Sequence, residues 1–298
     1  IARVLAARRV RVVIPTRNRE RAKRELIVLP TVDVVRADVH SPRELDALIA
    51  GADAVINLAG ILHEGRRGGF ERVHVELAGQ VAEACRRQGV PRLLHMSALG
   101  ADPNGPGEYQ RSKGRGEARV LQVAGDALAV TIFRPSVIFG VGDSFLSLFA
   151  RIQRVLPIVL LASLHSKFQP VWVEDVARAY AEAIGERLAF GQTYELCGPK
   201  VYTLRELVEL AGRASGHPRP IVGLGKGASW LQALAMEWLP GKLLTRDNLR
   251  SMSVDNVCGC GWPELFTWPP TPLQTVVAGY LAPALQRRYD RFRAPAGR

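Results

Sequence analysis

Short apolar runs rich in Val and Ile alternate with amphipathic stretches over the first two-thirds of the chain, and this alternation constrains the fold most. The apolar runs occupy residues 10–15, 32–37, 54–58, 92–97 and 128–134, and helical patterns lie between them at 19–26, 42–50, 70–89 and 108–123. Strands that alternate with helices form a parallel sheet. With right-handed crossovers, the pattern predicts a doubly wound α/β sheet.

The first apolar run does not look like the strand with which such a sheet normally begins. A doubly wound sheet opens on a central strand and a glycine-rich turn, whose backbone N–H groups meet the pyrophosphate of a dinucleotide. Residues 1–9 have the pattern of a helix that ends, and a polar turn follows residues 10–15, as it follows a second strand. We therefore expect that the first strand and its glycine-rich turn, roughly 15 residues, are absent from this chain. A truncated sequence and a site that lacks the turn are alternative explanations.

The regular alternation ends near residue 140. We assign residues 1–140, with parts of 165–200, to an N-terminally incomplete dinucleotide-binding domain, and residues 141–298 to a smaller C-terminal α/β region for substrate or partner. Gly223, Gly225 and Gly227 follow no clear strand, so we interpret them as an ordinary loop rather than a phosphate-binding loop. The apolar segment 228–244 fits either core packing or a surface for lipid, quinone or a partner. The basic tail 284–298 fits a frayed end better than a membrane anchor.

The chain combines an ordinary globular composition with a strong excess of positive charge. Hydrophobic residues make up 47% and charged residues 23%, and the formal net charge of +12 is carried by 34 arginines and 6 lysines against 28 acidic residues. Such a charge favours an acidic partner, a phosphate-bearing ligand or an anionic membrane surface. Because basic and aromatic residues are not interleaved along a stripe, we expect no nucleic acid partner.

Location and redox state can be predicted from the apolar runs and the cysteines. The most apolar stretch, residues 155–164, is half the ~20 residues that a membrane span needs. We therefore expect a cytoplasmic protein, either soluble or peripheral at the inner membrane. Cys85, Cys197, Cys258 and Cys260 form no disulfide framework in a chain of this size, so we expect free thiols in a reducing compartment. No further ligand pair accompanies Cys258 and Cys260, and no metal site is predicted.

Tyr109 and Lys113 are the first candidate catalytic residues. They lie four residues apart in a helical segment, so their side chains project from one face of the helix. A phenol with a pKa near ~10 is a poor acid at neutral pH, but a neighbouring ammonium lowers that pKa. The phenol can then pass a proton to or from a carbonyl or alcohol oxygen. Chance predicts about 0.12 such pairs in this chain, and the position of the pair, one loop after a strand that ends in Ser97, strengthens the signal. Ser97 is the third candidate.

Several other segments accompany this pair. They are Ala37-Asp38-Val39, Asn57-Leu58-Ala59-Gly60, His95-Met-Ser-Ala-Leu-Gly-Ala101, Arg134-Pro135-Ser136-Val137-Ile-Phe-Gly140, Val171-Trp-Val-Glu-Asp175-Val and Tyr194-Glu-Leu-Cys-Gly198. Together with Tyr109-Gln-Arg-Ser-Lys113, they resemble the motifs of extended and atypical short-chain dehydrogenases, which are NAD-dependent epimerase/dehydratase-like proteins. Over about residues 1–280, the chain most resembles the NAD(P)H-binding accessory subunits of respiratory complex I and their stand-alone bacterial relatives.

This resemblance implies a Rossmann-type fold and assigns residues to a dinucleotide. The cofactor-binding residues that it implies are Asp38, Val39, Asn57, Leu58, Ala59, Gly60, Tyr109, Lys113, Pro135, Ser136 and Val137. In the complex I branch it implies tightly held NADPH with a structural role. The chain departs from the family pattern at the catalytic hydroxyl, because Ala98 and Leu99 stand one and two residues after Ser97, where such a hydroxyl is usual.

The turn after residues 10–15 favours NADP(H) over NAD(H). It contains Thr16, Arg17, Asn18 and Arg19, with no acidic residue before Glu20. An acidic residue there would bind the ribose 2′-hydroxyl of NAD and repel a 2′-phosphate, whereas arginine pairs with phosphate. A solvated basic turn is the alternative interpretation.

Two functions follow from these residues. The first is an NADP(H)-binding protein whose nucleotide supports structure, or association with a protein complex or a membrane surface. The second is an active NAD(P)-dependent oxidoreductase or epimerase. In that case Tyr109 is the acid–base group, Lys113 lowers its pKa, and Ser97 or a water polarises the substrate oxygen.

Overall fold

The computed structural model describes residues 1–64, 68–238 and 244–282. The chain forms two compact units. The first consists of Ile1–Arg134, Val176–Tyr194 and Pro263–Thr267, and the second of Pro135–Asp175, Glu195–Trp262 and the stretch from Trp268 onwards. Each unit is therefore assembled from segments that are distant in sequence.

The first unit has strands at the five predicted positions and a further strand near its boundary. They are β1 (Val12–Thr16), β2 (Val32–Arg36), β3 (Val55–Asn57), β4 (Arg92–Met96), β5 (Ala129–Pro135) and β10 (Thr193–Leu196), the last reaching the unit boundary. Strands β1 and β2 pair in parallel as one sheet, and a second sheet has the order β10-β5-β4-β3, in which β3, β4 and β5 are parallel. Together with the helices between the strands, this arrangement confirms the predicted α/β fold class.

The helices of the first unit alternate with its strands along the chain. They are α1 (Ala2–Ala7), α2 (Arg19–Leu26), α3 (Pro42–Ile49), α4 (Leu77–Arg87), α5 (Glu108–Ala124) and α7 (Val173–Ala183), the last starting beyond the unit boundary. The Ser41 hydroxyl caps α3 by accepting the Glu44 N–H, which satisfies one of the free donors at the helix start. The helix predicted over 70–89 is interrupted, because a π-helical turn at Glu71–Glu76 precedes α4.

An apolar core holds these elements together. The helices α3, α4 and α5 bury one face each against the strands β4 and β5, as the helical periodicity predicts. The core includes Leu45, Ile49, Leu77, Val81, Leu93, Val120, Val130 and Ile132.

The second unit is built from short strands and helices. Its elements are β6 (Ile138–Phe139), α6 (Leu146–Val155), β7 (Val159–Leu161), β8 (Lys167–Phe168), β9 (Val171–Trp172), β11 (Tyr202–Thr203), α8 (Leu204–Ala214), β12 (Ile221–Gly223), α9 (Lys226–Glu237), α10 (Arg246–Ser251) and α11 (Leu273–Leu281). Strand β6 pairs with β9 and β7 with β12, both in parallel, and β8 pairs with β11 antiparallel. A capping box of Thr203 and Glu206 begins α8.

Two predictions about the second unit are wrong. Gly223 ends a strand and Gly225 is the N-cap of α9, so a strand does precede this glycine cluster. The strand has three residues, which is too short for an alternating pattern. In addition, Cys197 and Cys258 form a disulfide across 61 residues, while Cys85 and Cys260 are free. Only the folded chain brings these two cysteines together, so their spacing gives no signal.

Parts of two predicted segments lie outside the described residues. These are positions 239–243 of the apolar segment 228–244 and the whole basic tail 284–298. Within the described part of the chain, none of the helices combines the length and the hydropathy that crossing a membrane requires.

Candidate functional site

The end of strand β4 and the start of helix α5 carry the three candidate catalytic residues in the first unit. Ser97 follows β4 directly, and its hydroxyl is buried without a hydrogen-bond partner among the described residues. Lys113 is also buried, and its Nζ donates to the Met96 carbonyl oxygen at 3.1 Å. Lys113, one helical turn after Tyr109, is thus hydrogen-bonded to the last residue of β4, which directly precedes Ser97.

Aromatic rings surround Tyr109. Its ring lies edge-on to the rings of Phe70 and His74, with centroid distances of 6.0 and 5.6 Å. The Ser112 hydroxyl donates to the Tyr109 carbonyl oxygen at 3.0 Å. Burial raises the pKa of Tyr109 to about 12, so the phenol is neutral at physiological pH and acts as a hydrogen-bond donor.

His74 lies in the π-helical turn and links the loop after β3 to helix α5. Its Nε2 accepts the Ile61 N–H at 3.1 Å, which places the ring proton on Nδ1. Nδ1 then donates to the Ser112 hydroxyl at 2.9 Å. Burial, with the nearby Lys113 charge as a second cause, lowers the pKa of His74 to about 3, and the ring is neutral.

His95 lies in β4, two residues before Ser97. In extended backbone, residues two apart project to the same side. Its Nδ1 accepts from the Asn57 side-chain amide at 3.2 Å, so its Nε2 carries the proton. That Nε2 is buried and has no hydrogen-bond partner among the described residues. Burial, followed by the Lys113 charge, lowers the pKa of His95 to about 3.

The turn from Asn57 to Gly60 packs against the lysine. The Asn57 Oδ1 accepts the Ala59 N–H at 3.1 Å and shapes the turn, while Leu58 is half exposed. A Cβ at Gly60 would lie 3.3 Å from Lys113 Nζ, which explains why glycine stands at this close approach.

Lys113 is the charged centre of this cluster. Burial lowers its pKa to about 8, and Glu117 opposes this by raising the pKa. Glu117 is itself buried and paired with Arg134, whose Nε donates to it at 2.8 Å. The buried pairing with Arg134 gives Glu117 a structural role as an ion-pair partner. The cluster therefore presents an ammonium, a phenol, a hydroxyl and an imidazole N–H, a set of donors suited to a ligand rich in acceptor oxygens.

The residues of the predicted 2′-phosphate turn lie on the separate two-stranded sheet of the first unit. The Thr16 hydroxyl accepts the Asn18 N–H at 3.1 Å, and the Arg19 Nε donates to the Val34 carbonyl oxygen at 3.2 Å. Arg17 and Arg19 are exposed. After β2, the Asp38 carboxylate accepts the His40 N–H at 3.0 Å, and the neighbouring Val39 packs on the core.

Pro135, Ser136 and Val137 belong to the second unit. The buried Ser136 hydroxyl donates to the side-chain oxygen of Asn256 at 2.6 Å. The Val137 N–H donates to the same oxygen at 3.2 Å. Asn256 was not identified from the sequence, because no motif links it to residues 120 positions away.

His74, His95 and Ser112 are also residues of this cluster, and the sequence motifs did not identify them as site residues. The signal for His95 was its two-residue spacing from Ser97 on a strand. In the described part of the chain, no group of histidine, cysteine or carboxylate side chains could hold a metal ion.

A parallel α/β unit in which Ser97 follows a strand, and Tyr109 and Lys113 lie on the next helix, defines a class, the Rossmann-type NAD(P)-binding proteins of the short-chain dehydrogenase kind. The model of the NAD dependent epimerase/dehydratase family matches residues 1–197, and the chain belongs to this family.

Two curated relatives show where the chain falls in the family. It is 34% identical over 212 residues to the mitochondrial NADH-ubiquinone oxidoreductase 40 kDa subunit of Neurospora crassa, a match that covers 70% of this chain and 55% of that protein. It is 37% identical over 147 residues to the ceramide reductase of Caulobacter vibrioides, covering 49% of this chain and 45% of that protein. The predicted resemblance to complex I subunits is confirmed. The chain spans about half the length of these relatives.

Solved structures show the same fold. The NADPH-dependent quinone oxidoreductase QOR2 of Escherichia coli, complexed with NADPH, has a TM-score of 0.73 and 20% identity. The match covers 93% of this chain and 94% of that structure.

Proposed function

We propose that this chain holds NADP(H) through the Tyr109–Lys113 cluster and that the nucleotide supports structure or association more than turnover. The proposal rests on the protonation and hydrogen bonding of Tyr109 and Lys113. Burial raises the pKa of Tyr109 to about 12 and lowers that of Lys113 to about 8, while Lys113 Nζ donates to Met96. The Lys113 ammonium donates to the Met96 carbonyl, and burial is the cause of the raised pKa of Tyr109, so the lysine does not favour a phenolate enough to offset that burial. The pair is therefore better suited to donating hydrogen bonds than to exchanging protons.

The buried donors of the cluster support a bound nucleotide. The Ser97 hydroxyl and the His95 Nε2–H are buried and lack a hydrogen-bond partner among the described residues. An unsatisfied buried polar group costs about 1–3 kcal/mol, so such groups favour a ligand that accepts from them. The ribose hydroxyls and carboxamide of a nicotinamide nucleotide supply such acceptors. In this arrangement Lys113 would hold the ribose, and Asn57 to Gly60 would bring backbone close to it. The nicotinamide, when bound, would supply hydride chemistry.

Arg17 and Arg19 support NADP(H) over NAD(H). Both are exposed in the turn after β1, and arginine matches the geometry of a 2′-phosphate. Replacing Arg17 and Arg19 by glutamate should reverse the preference, measured as the ratio of NADPH to NADH dissociation constants. An unchanged ratio would refute the assignment of these arginines.

Tyr109→Phe tests the structural role. If the nucleotide is a held component, this variant keeps its dinucleotide and its melting temperature, and the wild-type pool does not exchange with labelled NADPH. Lys113→Met should release the nucleotide, because it removes the charged donor. Tyr194→Phe is the matched control, since its hydroxyl bonds the Leu188 carbonyl away from the cluster. Rapid exchange in the wild-type protein would contradict the structural role.

A reductase is the second candidate function, and the position of Ser97 favours it. Its buried hydroxyl lies next to the carbonyl that Lys113 binds, so a substrate oxygen there could meet Ser97 and Tyr109 together. The relative that is a ceramide reductase supports a lipid-like carbonyl or alcohol substrate. Turnover that falls by ~10²–10⁴-fold in Tyr109→Phe would establish this function over the first.

Helix α9 in the second unit supports an association role. Its solvent-facing side carries Trp230, Leu231 and Leu234, exposed by 44%, 68% and 38%, and Trp238, exposed by 86%, follows its last residue. These positions share one face of a helix. Tryptophan and leucine next to exposed basic residues such as Lys226 fit a membrane surface with anionic lipid, or a partner with an apolar groove.

A vesicle-binding assay distinguishes a membrane surface from a protein partner. Sedimentation with anionic vesicles that is lost in Leu231→Ser/Trp238→Ser would support a membrane surface. The control Leu188→Ser removes an equally exposed leucine from the first unit. If neither anionic nor neutral vesicles bind the wild-type protein, the membrane assignment of α9 is wrong.

A further inference from the structure

The segment 256–260 of the second unit is fastened at its central residue by a disulfide. Cys258 is bonded to Cys197, which directly follows β10. Hydrogen bonds add to this link, because the Cys258 N–H donates to the Gln169 side chain at 3.1 Å and the Gly259 N–H to the Glu195 carboxylate at 2.9 Å. The disulfide is the only covalent link between this segment and the chain near position 197 that the described residues contain.

The same segment holds two residues of the predicted dinucleotide site. Asn256 lies two positions before Cys258, and its side-chain oxygen accepts from the Ser136 hydroxyl and the Val137 N–H. The Asn256 backbone is fixed in turn, since its N–H donates to Lys167 at 2.8 Å and its carbonyl accepts from Gln169 at 3.0 Å. The conformation of Ser136 and Val137 therefore depends on where the segment 256–260 is held.

We propose that the Cys197–Cys258 disulfide is a reducible control site, and that its reduction by a dithiol loosens the segment 256–260 and weakens dinucleotide binding. This inference rests on the proposed function. It adds to that function a thiol–disulfide reaction site and a dependence on redox state.

The reaction needs a dithiol as co-reactant, of the small-molecule or protein class. One thiolate of the dithiol attacks the sulfur of Cys258, the more exposed of the two cysteines, and the electron pair of the broken bond leaves with Cys197. The second thiol then attacks the mixed disulfide and expels Cys258. The protein gains two electrons and two protons, and the dithiol becomes a disulfide.

Cys260 serves as an internal control for this chemistry. It is exposed and lies two residues from Cys258, with its sulfur 3.9 Å from the Glu195 carboxylate. Partial burial and the Glu195 charge raise the pKa of the Cys260 thiol. Since the thiolate is the attacking species, Cys260 is a weak nucleophile at neutral pH, and its replacement should leave the redox response intact.

The test measures NADPH affinity in both redox states. Wild-type, Cys197→Ser/Cys258→Ser and Cys260→Ser proteins are titrated with NADPH after oxidation and after treatment with excess dithiothreitol. Alkylation and mass measurement should find two free thiols in the oxidised wild-type protein and four in the reduced one. Loss of one or two ordered hydrogen bonds corresponds to a weakening of about tenfold.

We expect the reduced wild-type protein to bind NADPH about tenfold more weakly than the oxidised protein. The double variant should have the affinity of the reduced wild type, with or without dithiothreitol. Cys260→Ser should lose affinity on reduction as the wild type does. Equal affinities in the two states of the wild type would overturn the proposal, as would a redox response that persists in the double variant. If the double variant does not fold, reversible reduction of the wild type, followed by amide hydrogen exchange over residues 256–260 and 136–137, decides the question, and unchanged exchange refutes it.

Failure of the proposed function gives a different result. No NADPH binding in either redox state would refute the nucleotide site and, with it, control of that site. Hydrogen exchange over residues 256–260 still shows in that case whether reduction releases the segment.

Discussion

Gly114→Ala should destabilise the protein and displace the candidate site, because helix α5 approaches the preceding loop too closely for a side chain. A Cβ at Gly114 would lie 2.5 Å from both the Cδ and the backbone nitrogen of Pro103 and 2.6 Å from the carbonyl carbon of Asp102. Carbon atoms in contact normally lie about 3.5–4.0 Å apart. Helix and loop must therefore separate by roughly 1 Å.

The magnitude follows from two opposing effects. Overpacking of this kind costs typically 1–3 kcal/mol, and two of the three contacts are with backbone atoms, which cannot rotate away. Alanine in place of glycine inside a helix returns about 1 kcal/mol. Since backbone atoms cannot move aside, we take the upper part of that cost, roughly 2–3 kcal/mol, and expect a net loss of roughly 1–2 kcal/mol, or a melting temperature lower by roughly 2–8 °C. Because Lys113 precedes Gly114, we also expect weaker NADPH binding.

The assay is thermal unfolding by circular dichroism, combined with NADPH titration. Gly227→Ala is the matched control, since this glycine also lies in a helix and an added Cβ would meet nothing within 4 Å. The control should melt at the wild-type temperature or above. A Gly114→Ala variant that melts like the control and binds NADPH normally would refute the close approach of α5 and the loop.

Three further predictions concern stability. Arg92→Met should cost roughly 3 kcal/mol or more in urea unfolding, because the buried guanidinium donates to three backbone carbonyls that would lose their partner; a loss below 1 kcal/mol would contradict this role. Acid should destabilise the protein between pH 6.5 and about 3, since the pKa values of His74 and His95 are lowered to about 3 and only the unfolded chain takes up these protons in that range. The slope is at most ~1.4 kcal/mol per pH unit for each histidine, and a His95→Gln variant should show a shallower decline; an identical decline would exclude His95. Reduction of the Cys197–Cys258 disulfide, which closes 61 residues, should lower the unfolding free energy by roughly 4 kcal/mol, and no change in the urea midpoint would contradict it.

The architecture of the first unit could be predicted because its signals are local. Val and Ile runs of strand length, and caps such as Ser41 with Glu44, are each contained within a few residues. The Tyr109–Lys113 pair could be found for the same reason, since both residues lie on one helical turn.

The parts that could not be predicted depend on contacts between distant segments. The Cys197–Cys258 disulfide and the bond from Ser136 to Asn256 join positions 61 and 120 residues apart. A single sequence has no local signal for such pairs. His74 belongs to the same class, because packing rather than spacing places it beside Lys113, whereas His95 had a signal in its two-residue spacing from Ser97.

The central claim, that the chain holds NADP(H) as a bound component, is tested most directly by what the protein carries when it is purified. The protein is purified without added nucleotide and denatured, and the released dinucleotide is identified by mass spectrometry. A retained native sample is then incubated with labelled NADPH. We expect close to one NADP(H) per protein chain, and we expect that this bound nucleotide does not exchange with labelled NADPH. Absence of any dinucleotide, together with no binding of added NADPH or NADH, would contradict it.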